Sequence, residues 1–253
     1  MDRRPASERV GDADDSSDRV ILRAIVRLVL AVAVLSALVF GIVTFAPSTL
    51  ETVNDVEFVD VRDLPNPSAD PPPVDEHYPD VTDPDDPGAS TYETDVEPIS
   101  SADVERFVHA EVNDRRADHG LEPLEWDGTV ASVSRAHSQD MAEREYFAHV
   151  NPDDEGPFDR FSAVDGYCRG YGENIALTWV DRPVERPGNG DIVEYHTAEG
   201  VAEGLVDQWM NSTSHREAIL EDHGGPGWDR GGVGVYITDD GEVYASHNFC
   251  HEY

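Results

Sequence analysis

The chain has 253 residues and a formal net charge of -35, from 53 acidic side chains against 18 basic ones, every one of them arginine. That balance leaves no basic face for phosphates, which argues against nucleic acid as a partner. Heavy acid, no lysine and 39% hydrophobic content look like a proteome adapted to molar salt, as a halophilic archaeon's would be, where salt screens the repulsion and carboxylates hold hydration at the surface.

In chain order, residues 1–27 carry balanced charge and read as a cytoplasmic tail. Residues 28–46, LVLAVAVLSALVFGIVTFA, hold no charge and have about the length that crosses a bilayer core. Arg19, Arg23 and Arg27 precede this run while Glu51, Asp55 and Glu57 follow it, so the N-terminus is expected inside the cell and the rest outside. A cleaved secretory signal is the rival reading, because Thr44-Phe45-Ala46 loosely resembles a cleavage site; Pro47 and the length of the apolar run speak for an uncleaved anchor. Residues 47–100 hold ten of the 17 prolines among many acids, too little apolar surface to offset ordering entropy. They are expected to form a disordered stalk.

An ordered domain is expected over 101–253. Ser100-Ser101 offers a helix N-cap before Asp103 and Glu105, and Val104, Phe107/Val108 and Val112 follow helical spacing until His119-Gly120. A second helix is predicted over about Thr129–Arg144, burying Val130, Val133, His137 and Met141. A third runs over about Thr197–Asn211 with Val201, Leu205 and Trp209 inward. GGVGVYIT and EVYASHNFC both alternate, and Asp239-Asp240-Gly241 between them signals a hairpin. Early helices and a late antiparallel hairpin give an α+β domain. Cys168 and Cys250, the only cysteines, lie in the part assigned to the oxidising exterior, where a disulfide is the first reading and two buried thiols the second.

Acids are abundant here, so the ten histidines are the more informative ligands. His149, in EYFAHVNPDD, lies beside aromatics, and His215 follows Ser212, Thr213 and Ser214 at the start of a short helix. His137 falls on the buried face of its helix and reads as structural. Glu173, in GYGENIA, is an acid among small and apolar neighbours and needs a partner if buried. Spacing alone links none of the histidines to it.

SRAHSQDMAEREYFAHVNP, GYGENIAL, LVDQWMNSTSHREAIL and GGVGVYITDDGEVYASHNFC occur in the order seen in the CAP superfamily of cysteine-rich secretory, venom-antigen and plant pathogenesis-related proteins. Together they make this chain resemble the compact prokaryotic branch of that superfamily over about residues 102–249. The resemblance implies an α-β-α sandwich with a central antiparallel sheet and a cavity lined by His149, Glu173 and His215. In some members such a cavity holds a divalent cation, zinc for example. A second glutamate expected soon after Trp209 is missing, since Met210, Asn211 and Ser212 stand there. His247, alternating with Ala245 and Phe249, and Asn211, in a formal glycosylation acceptor, are further candidates.

The reading that follows is a membrane-anchored extracellular module that binds a small ligand, a lipid or an envelope component. The alternatives are a metal-dependent, peptidase-like hydrolase and a purely structural envelope protein. No HExxH or GxSxG motif supports catalysis, and Ser138 beside His137 does not face it on a helix.

Overall fold

The structure is a computed structural model and describes residues 66–75, 81–164, 168–222 and 224–251. The expected tail, the apolar run 28–46 and the first part of the stalk lie outside those residues. Among the described residues no helix is long and apolar enough to cross a membrane.

The elements begin with β1 (Thr91–Glu93), β2 (Pro98–Ser100), α1 (Ser101–Asp118), β3 (Glu125–Trp126), α2 (Gly128–Glu143) and α3 (Pro157–Arg160). They continue with β4 (Gly170–Trp179), β5 (Val184–Glu185), β6 (Ile192–Val193), α4 (Ala198–Asn211), α5 (Thr213–Ile219), β7 (Arg230–Ile237) and β8 (Glu242–His251). The three long helices fall where the apolar spacing put them. Asp127 and Thr197 cap α2 and α4 by accepting from Val130 N and Gly200 N. Ser100 occupies the N-cap position of α1 without a side-chain cap bond.

The central sheet has the order β3-β7-β8-β4, with β7, β8 and β4 antiparallel and β3 parallel to β7. Alternation along β7 decides what covers each face. Val233, Val235 and Ile237 point into a core shared with Val104 and Val108 of α1 and Leu205 and Trp209 of α4. Gly232 and Gly234 point the other way, against α2. A Cβ added to either would lie 2.2 Å from Ala131 N or 2.0 Å from Arg135 N, so only glycine admits the helix this close. Ser134 and Ser138 use that approach to donate to the carbonyls of Gly232 and Gly234, both at 2.9 Å. The sheet therefore lies between α2 on one side and α1 with α4 on the other.

Residues 66–75 and 81–100, read from sequence as stalk, pack on the domain. The backbone N–H and hydroxyl of Ser68 donate to the Glu97 carboxylate, which also accepts from Ala198 N at the start of α4. Thr129 donates to the Val81 carbonyl, Asp83 N donates to Ser132 Oγ, and Arg135 grips Asp86 with two nitrogens. Ile99 is fully buried. An extended proline-rich segment makes few internal hydrogen bonds, so its backbone groups remain available to the surface beside it. Cys168 and Cys250 form a disulfide across 82 residues with Cα atoms 5.6 Å apart, joining the start of β4 to the end of β8.

Candidate functional site

GYGENIALTW, which carried no predicted element, is the ten-residue strand β4, paired with β8 along its whole length. Glu173 stands opposite Asn248 and therefore shares the α2 face with Tyr171 and Ile175. Gly172 turns to the other face, where a Cβ would meet the Trp228 ring at 2.9 Å.

Three cationic or potentially cationic groups converge on Glu173. Arg160, the last residue of α3, donates through Nη2 to Oε2 at 2.6 Å. His149, in the loop after α2, places Nδ1 2.9 Å from Oε1. His137 of α2 places Nε2 3.9 Å from the same oxygen and makes no hydrogen bond through it. The Glu173 side chain is 2% exposed, and burial alone would raise its pKa. The His149 hydrogen bond and the charge of Arg160, with a further contribution from His137, outweigh that and hold it below the ordinary 4.5. Burial pushes His137 down to about 4, so it is neutral at pH 7.

An ionised carboxylate only accepts, so His149 Nδ1 is the donor in this hydrogen bond. The His149 side chain is 46% exposed, so part of the imidazole meets solvent. His215, on α5, is half-buried and titrates low, first through burial and then through the proximity of His149. Among the described residues no hydrogen bond joins His215 to Glu173. The structure thus brings His149 and Glu173 into direct contact, and His215 is close enough to His149 to feel its charge.

The other candidates lie elsewhere. His247 pairs with Asn174, on the opposite sheet face from Glu173, and is fully buried between the rings of Trp209 and Phe249. It shares the face of Ala245 and Phe249, as its alternation predicted, but that face is core. Asn211 ends α4 with its amide bonded to the Asp207 carbonyl. Asn174 reaches across the chain to donate to the carbonyl of His215. Ser138 is occupied with the Gly234 carbonyl and Ser246.

A divalent cation does not suit this arrangement. Both Glu173 oxygens already accept from donors, one of them a guanidinium, and a metal ion held between Glu173 and His149 Nδ1 would have to displace the Nδ1 proton and sit beside the Arg160 charge. Among the described residues no group of three His, Cys, Asp or Glu side chains is placed to share an ion. The residue missed from sequence is Arg160. One signal for it existed: GPFDRF sets an arginine between two phenylalanines in a chain with only 18 bases, a context that suggests an internal counter-ion.

The model of the CAP family, the cysteine-rich secretory protein family, matches residues 109–250, more than half of the chain. The chain belongs to this family. Among its CAP relatives, the uncharacterized membrane protein YlbC of Bacillus subtilis (strain 168) is 36% identical over 118 residues, 46% of this chain and 28% of that protein. The uncharacterized protein YkwD of the same organism is 32% identical over 147 residues, 58% of this chain and 47% of YkwD. The chain thus spans less than half the length of these two relatives. Of solved structures, an extracellular protein containing an SCP domain from Bacillus anthracis str. Ames is 28% identical with a TM-score of 0.45, covering 60% of this chain and 41% of that one. An outer surface protein from Borrelia burgdorferi is 19% identical with a TM-score of 0.48, covering 65% and 99%.

Proposed function

We propose that this CAP protein is a membrane-anchored, outward-facing module that binds a small ligand, a lipid or an envelope component at the surface around His149. The observation that carries the reading is the Glu173–His149 hydrogen bond, by which a buried carboxylate orients a partly exposed imidazole. Phe147 and Val150, close to His149 in sequence, and Phe158 of α3 are exposed large apolar side chains. A ligand suited to this surface has an apolar part to cover those side chains and a polar group for the His149 imidazole. The charge-free run 28–46 and the name of the relative YlbC support the membrane anchor.

Acid–base chemistry is the second reading, favoured by the same buried carboxylate orienting the same imidazole. No nucleophile accompanies it, and any such activity would rest on a water polarised by His149 alone. Mass spectrometry of the full chain, purified in detergent and high salt, tests the binding reading. The wild type is expected to retain a small molecule that His149→Ala loses with its melting temperature within a few degrees of wild type. Equal ligand content in the two proteins, or none in either, would sink it.

A further inference from the structure

Asn211-Ser212-Thr213 is the only Asn-x-Ser/Thr triplet in the chain with a residue other than proline at its centre. Asn66-Pro67-Ser68 has the same spacing, but Pro67 bars it as a sugar acceptor, and its Ser68 hydroxyl is bonded to Glu97. Asn211 and Thr213 are both exposed, at the corner where α4 ends and α5 begins. Ser212 between them is extended, with φ -95° and ψ 126°. Among the described residues the Thr213 hydroxyl makes no hydrogen bond.

The Asn211 amide carries two N–H groups. Through Nδ2 it donates to the Asp207 carbonyl at 2.9 Å, in a bond that itself lies at the surface. Its oxygen stands beside Gly188 of the β5–β6 turn, where an added Cβ would lie 2.6 Å away. Arg186 of the same turn bonds Asp207 at 2.9 Å, so the turn and the end of α4 are tied together. This corner holds the amide at the surface and leaves one N–H for substitution.

We infer that Asn211 is N-glycosylated by a membrane transferase that draws on a lipid-phosphate-linked sugar. Nδ2 bonds to the anomeric carbon as the bond from that carbon to the phosphate oxygen breaks. The displaced amide proton passes to a base of the transferase, and the lipid phosphate leaves. One N–H stays on Nδ2, enough to keep the Asp207 bond. The inference rests on the outward-facing domain proposed above.

Peptide mass spectrometry of the full chain, isolated from the cells that produce it, tests this. The peptide holding Asn211 is expected to be heavier than its sequence by whole sugar residues in most copies. Thr213→Ala leaves the Asn211 amide in place and should lose that mass, whereas Thr213→Ser should keep it. Asn211→Gln should lose it as well. A bare Asn211 peptide from the wild type would overturn the inference, and so would added mass that survives Thr213→Ala. The same digest, run without reductant, tells two failures apart. Bare Asn211 beside an oxidised Cys168–Cys250 pair means an exported domain whose acceptor goes unused. Bare Asn211 beside two free thiols removes the outward orientation too.

Discussion

Glu173 shows how one carboxylate comes to be tolerated inside a sheet–helix interface. Its neighbours along the strand take it out of water, and His149 from the loop after α2 and Arg160 from α3 restore hydrogen bonds that solvation would have supplied. Because its pKa is depressed in the folded state, its stabilising contribution is complete above the ordinary carboxylate value of 4.5. That contribution is lost as the pH falls through the lower folded value. Glu173→Gln keeps the shape without the charge. At pH 7 it should be less stable than wild type by about 2 kcal/mol, from weaker bonds to Arg160 and His149. The gap should close in acid. Thermal melts of both proteins from pH 7 down to pH 3 check this, and parallel curves would show that the pairing is not stabilising.

At the scale of elements, the contact of α2 with β7 depends on two side chains that are absent. Gly232 and Gly234 alternate with valines, so one strand presents a bulky face to α1 and α4 and a bare one to α2. A methyl at position 234 would overlap helix backbone, which cannot rotate away as a side chain can. Gly234→Ala is expected to cost about 3 kcal/mol in urea unfolding. Gly170→Ala on β4, whose new Cβ would sit 3.8 Å from the nearest atom, should cost less than about 1 kcal/mol. Similar midpoints for the two variants would refute this account of the helix position. The same alternation was visible in the sequence as a strand signal; that it also sets helix proximity was not.

For the whole molecule, the disulfide and the apolar run bear on the same question of sidedness. A Cys168–Cys250 bridge is at home in an oxidising exterior, and the arginines before residue 28 favour an inner N-terminus. Protease added to intact cells is expected to remove the CAP domain and leave the N-terminal tail protected. A domain that stays whole until the cells are lysed would reverse that orientation. The packed arm changes the picture of the ectodomain as well. With Ser68, Val81, Asp83 and Asp86 bonded to the domain, residues 66–75 and 81–100 pack on it instead of forming part of the disordered stalk of residues 47–100 that composition suggested.

Helix positions, the late hairpin and the family were legible from the chain alone, because periodicity and ordered motifs are local properties written in consecutive residues. His149 and Glu173 were named on the same motifs. Local pattern could not reveal that Arg160 completes their site or that His247 faces core. Nor did it show where the proline-rich arm rests. Each of these turns on which groups approach across tens of residues, and only the register of β4 on β8 and the packing of α2 on β7 bring them together. Charge compensation in a buried site is a property of distance in space, which spacing along the polymer does not encode.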